Sequence, residues 1–230
     1  MTTTLITGSN KGLGLETARR LLAEGHTVWM AARDESRGQQ AADELGARFV
    51  QLDVTDDASV AAAAELVGAE GGLDVLVNNA GITGSHADPA DLTGADALLV
   101  LDTNVAGIVR TTHAFLPLLR ASSAPAIVNV TSGLGSFTAV HDPDRIESTV
   151  VAPLYTASKS AVTMLTVQYA KALPGIRVNA ADPGYTATDL NGNSGHQTVT
   201  EGTDAIVELA TQGADGPTGT FIDRSGVAPF

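Results

Sequence analysis

The chain of 230 residues contains no cysteine. A disulfide framework and a thiolate metal site are therefore excluded, and no metal is expected. The absence is compatible with a reducing cytosol, and a cytoplasmic location is the expectation. No apolar run approaches the roughly 18 residues of a membrane span, so no membrane partner is expected. A strand pattern begins within a few residues of Met1, which reads as leaving no room for a signal peptide. Positive charge is also scarce: 13 Lys and Arg stand against 26 Asp and Glu, for a net charge of −13. That balance argues against nucleic acid as a partner. It also requires a local basic site wherever an anionic ligand is to bind. What is present is an ordinary globular composition, 43% hydrophobic and 17% charged, in a chain long enough for a full α/β core.

Short apolar runs alternate with helical patterns. Residues 3–7, 26–32, 48–52, 73–77, 126–131, 177–181 and 219–223 read as strands. Residues 12–24, 35–45, 56–67, 94–102, 103–121, 154–173 and 200–212 read as helices. Continuous apolar strands between helices mark a parallel sheet covered on both faces. The predicted fold is α/β: a single Rossmann-type doubly wound parallel sheet of about seven strands with helices on both faces, one domain over 1–230. Two stretches, 82–93 and 133–153, look irregular.

Between the first strand and helix lies Thr7-Gly8-Ser9-Asn10-Lys11-Gly12-Leu13-Gly14. Gly8, Gly12 and Gly14 allow positive φ and a close backbone approach, and the helix N-terminus supplies N–H donors to a pyrophosphate. Selectivity between nicotinamide coenzymes is read at the end of the second strand. An acid there would hold an unphosphorylated ribose. Ala32 occupies roughly that place and Arg33 follows it, with Lys11 and Arg37 close by. An arginine fork and an ammonium suit a 2′-phosphate, at about 1.5–3 kcal/mol per charge-assisted hydrogen bond. NADPH is the expected coenzyme. Asp34 complicates this, since it can bind ribose or pair with one of these cations.

The segment Tyr155-Thr156-Ala157-Ser158-Lys159 carries the chemistry. A phenol with a reference pKa of about 10 is a poor acid or base at neutral pH. A lysine four residues on along a helix shares its face, and its charge favours the phenolate. The expectation is that Lys159 pulls the Tyr155 pKa toward the working range, so that the phenol exchanges a proton with a carbonyl or alcohol oxygen. With a dinucleotide site in the same chain, this points to a carbonyl–alcohol oxidoreductase.

Taken together, Thr7-Gly8-x-x-x-Gly12-x-Gly14, Asp53, Asn78-Asn79-Ala80-Gly81, Asn104, Ser132, Tyr155-x-x-x-Lys159 and Pro183-Gly184 resemble the short-chain dehydrogenase/reductase family. The likeness is strongest to its NADPH-dependent carbonyl reductases. The resemblance implies that Tyr155 is the general acid or base. Lys159 would depress its pKa and hold the nicotinamide ribose, Ser132 would bind the substrate oxygen, and Asn104 would hold a water that relays protons to Lys159. Asp53 and Val54 would flank the adenine. Asn79, Ala80 and Gly81 would run beside the coenzyme, with Asn78 tying strands together. Pro183, Gly184, Thr186 and Thr188 would contact the nicotinamide end.

Two departures stand out. The gap from Ser132 to Tyr155 is some ten residues longer than the family's usual spacing, which leaves open whether the chain is a monomer or a homo-oligomer. The substrate-loop region at 185–200 is short and polar, which implies an open site. Phe137, His141 and Tyr185 are candidates to line it. The expected function is NADPH-dependent reduction of a ketone or aldehyde, reversible, on a small-molecule substrate. Alternatives are a non-catalytic nucleotide-sensing regulator, an NAD(H)-preferring alcohol dehydrogenase, and an epimerase or dehydratase on a related fold.

Overall fold

The computed structural model describes residues 2–85 and 87–230. Met1 and His86, the latter inside the expected wall segment 82–93, lie outside the described residues. The strands are β1 (Thr3–Thr7), β2 (Thr27–Ala32), β3 (Arg48–Gln51), β4 (Val75–Asn78), β5 (Ala126–Val130), β6 (Arg177–Ala181), β7 (Phe221–Asp223) and β8 (Gly226–Val227). The helices are α1 (Gly12–Ala23), α2 (Glu35–Leu45), α3 (Asp57–Ala69), α4 (Gly94–Leu101), α5 (Gly107–Ala121), α6 (Phe137–His141), α7 (Pro153–Ala172), α8 (Val199–Gly202) and α9 (Asp204–Thr211).

One sheet of eight strands runs in the order β3-β2-β1-β4-β5-β6-β7-β8. All neighbours are parallel except the last pair, where Ile222 faces Val227 and Asp223 faces Gly226 in an antiparallel register. The sequence expectation of about seven parallel strands misses only this short turn-back. A two-residue strand carries too little pattern to be read from sequence. The chain winds outward from β1 to β3, then crosses to β4 on the other side of β1, so the switch point falls between β1 and β4. In open α/β sheets the crevice beyond the carboxyl ends of such strands is where ligands bind.

Period-two alternation sends neighbouring strand residues to opposite faces. Ile6, Met30, Val77 and Val128 pack with Ala18 and Leu21 of α1 and with Ile206 and Leu209 of α9. Leu5, Trp29, Leu76 and Ile127 pack with Val60 and Val67 of α3 and with Phe115 and Leu119 of α5 on the other face. Each Val, Leu, Ile, Met or Phe among them, fully buried, contributes about 1.5–3 kcal/mol.

Three regions differ from the sequence expectation. The stretch 133–153 is not irregular: it holds a 3₁₀ turn at Gly133–Gly135, then α6, then a second 3₁₀ turn at Ile146–Thr149. The single helix expected over 200–212 is two helices, broken at Thr203, whose buried hydroxyl donates to the Thr200 carbonyl. Between α4 and α5 the backbone takes a π-helical turn over Asp102–Ala106, an irregularity often found at functional sites.

The loop after β5 lies directly on α7. A Cβ at Gly135 would fall 2.6 Å from the carbonyl carbon of Lys159. Thr131 Oγ1 donates to the Lys159 carbonyl at 3.0 Å. This contact fixes Ser132 relative to Tyr155 and Lys159. Gly135→Ala is expected to destabilise the protein by about 1–3 kcal/mol through overpacking against backbone that cannot yield. A thermal melt reads this as a Tm lower by several degrees, and a wild-type Tm contradicts the contact.

Candidate active site

The residues singled out from the sequence converge at the carboxyl ends of β1, β4, β5 and β6. Lys159 is 5% exposed. Its Nζ donates to the Val130 carbonyl at 2.9 Å and lies 5.6 Å from the centre of the Tyr155 ring. The Tyr155 hydroxyl hydrogen-bonds the Ser132 side chain. Ser132 Oγ also accepts the Leu134 N–H at 3.2 Å. Asn104 is 1% exposed and sits in the π-turn. Its Oδ1 accepts the Ile82 N–H at 2.9 Å, while Nδ2 donates to the Ile82 carbonyl at 2.9 Å and to Ser158 Oγ at 3.0 Å. Ser158 Oγ in turn donates to the Tyr155 carbonyl at 2.7 Å. Gly81 touches both ends of the cluster: a Cβ there would lie 3.4 Å from Asn104 Oδ1 and 3.6 Å from Lys159 Nζ.

The electrostatics differ from the sequence expectation. Burial pushes the Tyr155 phenol up to about 12; the Asp182 charge adds to the rise and the Ser132 hydrogen bond opposes it. Burial pushes Lys159 down to about 8, with Asp182 acting the other way. Lys159 therefore does not pull the phenol toward neutrality in this arrangement. Its ammonium lies over the ring face and bonds a backbone carbonyl, and desolvation of the phenolate dominates.

At the glycine turn, Gly8 and Gly12 have φ of +63° and +55°, the left-handed region that favours glycine. A Cβ at Gly14 would meet Gly8 O at 2.6 Å and Asn79 Nδ2 at 2.6 Å. The N-cap of α1, Lys11, offers no side-chain acceptor, whereas Asp34 and Asp56 cap α2 and α3. The first N–H groups of α1 thus face the cleft without a side-chain partner, as an anion site requires. Asn10 and Leu13 flank these groups within the turn. The residues present fit a pyrophosphate.

The three cations expected to read a 2′-phosphate are not equivalent. Arg33 is exposed and forms no ion pair among the described residues. Arg37 Nε lies 3.5 Å from Asp34, and Lys11 lies 3.2 Å from Asp189. Arg33 borders a cavity of about 540 Å³ that Gln51, Asp53, Asp56, Ser59 and Leu66 also line. Burial tends to raise the Asp53 pKa. The backbone and hydroxyl of Thr55, with Arg33 and Arg110, outweigh it and hold the group below its usual range. Val54 is buried and passes its carbonyl to Arg110 at 3.2 Å.

Several expected contacts turn out to be internal braces. Asn79 Nδ2 donates to the Thr7 and Gly8 carbonyls at 2.9 and 3.1 Å, and the Ala80 N–H donates to Thr7 Oγ1. Asn78 does tie strands, donating to Asn129 Oδ1 at 2.9 Å. Thr186 is drawn inward. It is 4% exposed, its hydroxyl donates to the Pro183 carbonyl, and it packs against Gly202. Thr188 lies beside the turn, 3.8 Å from a Cβ built on Gly12, and Gly184 is exposed at the cleft with φ +65°. Phe137 is 71% exposed and lines a shallow groove with Val150, Val151 and Thr156. His141 Nδ1 bonds the Phe137 carbonyl at 2.7 Å, and the Tyr185 hydroxyl pairs with Ser194 at 2.6 Å.

Sequence reading missed two groups. Ser158 lies inside the quoted Tyr–Lys segment, and helical spacing from Tyr155 was the available signal. Asp182 is an acid at the end of the wholly buried strand β6, and its signal was that position alone. Its neighbours Arg145 and Glu147 carry no local signal, because the fold alone brings them there.

The architecture is that of the Rossmann-type doubly wound proteins. The family model described as short chain dehydrogenase matches residues 2–198, and the chain belongs to that family. A short-chain dehydrogenase/reductase 1 from Saponaria officinalis is 34% identical, over 98% of this chain and 95% of the relative. A (+)-neomenthol dehydrogenase from Arabidopsis thaliana is 33% identical, over 98% and 97%. The crystal structure of NADPH-bound carbonyl reductase from chicken fatty liver superposes with a TM-score of 0.88 at 30% identity, covering 100% of this chain and 99% of that one.

No helix among the described residues is long and apolar enough to cross a membrane. Asn104→Ala removes three hydrogen bonds inside the site and leaves the Ile82 backbone groups unpaired. It is expected to cost about 1–3 kcal/mol in chemical denaturation. An unchanged denaturation midpoint contradicts the brace.

Proposed function

We propose that the protein is an NADPH-dependent reductase of ketones or aldehydes, acting reversibly on a small-molecule substrate. The single observation that carries this reading is the meeting of Ser132, Tyr155, Lys159 and Asn104 beyond the carboxyl ends of β4 and β5, next to a glycine turn with unpartnered helix N–H groups. The family, its dehydrogenase and reductase relatives and the NADPH-bound structural neighbour support it. A non-catalytic nucleotide sensor has no chemical need for a phenol set beside a buried ammonium.

A nicotinamide coenzyme, when bound, supplies the hydride. The glycine turn Gly8–Gly14 and the α1 N-terminus hold its pyrophosphate. Arg33, with Lys11 and Arg37 competing against their own acidic partners, reads its 2′-phosphate. The substrate oxygen is received between Ser132 and Tyr155. Ser132 donates a hydrogen bond that steadies charge building on that oxygen, and Tyr155 gives it a proton. Lys159 stands beside the phenol with its ammonium over the ring face, placed to hold the nicotinamide ribose. Asn104 holds the Tyr155 end of α7 in place through Ser158.

The phenol at about 12 is protonated throughout the neutral range, so the form that donates to a carbonyl is populated there. The reverse reaction needs the phenolate and climbs as pH rises toward that value. Lys159 at about 8 is charged below that pH and neutral above it. Reduction is therefore expected to stay level to about pH 8 and fall beyond it, while alcohol oxidation rises. Tyr155→Phe is expected to keep the fold and coenzyme binding but lower kcat in both directions at least a hundredfold. Steady-state assays across pH against a carbonyl panel test this, and substantial residual turnover removes the tyrosine from the mechanism. Arg33→Asp is expected to swing the NADPH-to-NADH ratio of kcat/KM by roughly a hundredfold toward NADH. An unchanged ratio shows that Arg33 does not read the phosphate.

A further inference from the structure

The loop after β6 is anchored at both feet. At the near foot Thr186 is buried, its hydroxyl donates to the Pro183 carbonyl at 2.8 Å, and it packs under Gly202. At the far foot the Ala187 N–H donates to the Gln197 carbonyl at 2.9 Å, and the Gln197 N–H donates to the Tyr185 carbonyl at 3.1 Å. A 3₁₀ turn, Asp189–Asn191, lies between them. Asn191 holds that turn in shape: its Oδ1 accepts the Thr188 N–H at 3.2 Å and its Nδ2 donates to the Thr186 carbonyl at 2.9 Å. The loop therefore presents Asp189 from a defined backbone.

It presents that acid to the glycine turn. Asp189 Oδ2 lies 3.2 Å from Lys11 Nζ, and Thr188 comes within 3.8 Å of a Cβ built on Gly12. Lys11 is the N-cap residue of α1, a helix with no acid in its first turn and no side-chain cap. Helices α2 and α3 supply their own caps, Asp34 and Asp56. Among the described residues Lys11 forms an ion pair with Asp189 alone. The loop thus delivers a carboxylate to the ammonium beside an uncapped helix N-terminus, the place in this chain built for phosphate oxygens. Both side chains of the pair are 64% exposed. An exposed pair is weak, so a second anion can displace it.

We propose that Asp189 is an internal competitor for the coenzyme phosphate: it occupies the Lys11 ammonium in the free protein and thereby sets coenzyme affinity. This rests on the coenzyme-binding part of the reductase reading. Lys11 must give up Asp189 before it serves a phosphate, so the strength of the internal pair is subtracted from that of binding. Once displaced, the carboxylate remains on the loop as a like charge near that phosphate. Both effects oppose the ligand, and removal of the charge at position 189 therefore tightens binding.

Calorimetric titration with NADP⁺ and with NAD⁺ reads this without turnover. Asp189→Asn keeps the side-chain shape and removes the charge. It is expected to lower the NADP⁺ Kd about fivefold, the upper end of what an exposed ion pair is worth. Asp215→Asn removes one charge from an exposed acid between α9 and β7 and leaves the Kd unchanged. In a Lys11→Gln background the gain from Asp189→Asn shrinks, because the contested ammonium is gone. A larger gain for NADP⁺ than for NAD⁺ assigns that ammonium to the 2′-phosphate, and an equal gain assigns it to the pyrophosphate; both uphold the competition. No gain in Asp189→Asn, an equal gain in Asp215→Asn, or a gain undiminished without Lys11 overturns it. Should Lys11→Gln bind too weakly to titrate, the two Asn variants decide alone. A wild-type protein that binds neither coenzyme defeats the reductase reading and this inference together. Wild-type binding with an unmoved Asp189→Asn defeats this inference alone.

Discussion

Lys159 carries its ammonium into a place where water barely reaches, and much of the site is arranged around that fact. A charge there is tolerated only with partners of good geometry. The Val130 carbonyl at the end of β5 supplies one hydrogen bond. It does so where parallel strands end side by side, with Val130 opposite Ala181 in the register. The helix that bears Lys159 is pinned to the same strand end by Thr131 and by the close approach of Gly135. The sheet topology and the protonation state of one amine are thus linked through three short contacts.

The same economy runs through the polar core beneath the site. Asn78 and Asn129 bridge β4 and β5 at 2.9 Å. Thr111 of α5 donates to Asn78, and Asn129 donates to Thr166 of α7. Buried amides are costly unless every group is paired. Here the pairing ties two strands to α5, which follows the π-turn bearing Asn104, and to α7, which carries Tyr155. Only one register of α5 and α7 against the sheet satisfies it, so the network specifies geometry beyond what apolar packing alone dictates.

How much of this was legible in the chain depends on how local each feature is. The glycine turn and the Tyr–Lys pair are contiguous, and a 3.6-residue period converts their spacing directly into shared placement. The strands β1 to β6 stood out because burial on both faces demands unbroken apolar runs. What escaped was set by distant neighbours. Thr186 carries a hydroxyl suited to a ligand, yet Gly202 offers it a pocket without a side chain, and the loop folds it inward. Asp189 looks like a surface acid in sequence, yet it takes up Lys11; the Asp34–Arg37 pair, three residues apart, was open to a sequence reading. The raised phenol and lowered amine follow from how deeply α7 is buried, which spacing does not encode.

The loop at 185–200 shows how a fold can be firm inside and loose at its contacts. Within the loop the restraints are buried or backbone-based: Thr186 under Gly202, Gly195 against the Thr186 carbonyl carbon, and the Ala187 N–H on Gln197. Its grip on the glycine turn is of another kind, a Lys11–Asp189 pair in which both side chains are 64% exposed. Such pairs contribute about 0–1 kcal/mol and weaken with salt. Lys11 lies in the turn that the proposed coenzyme phosphates occupy, so an arriving phosphate and Asp189 compete for the same ammonium. The doubly charged phosphate has the stronger claim in a chain whose background is so strongly negative.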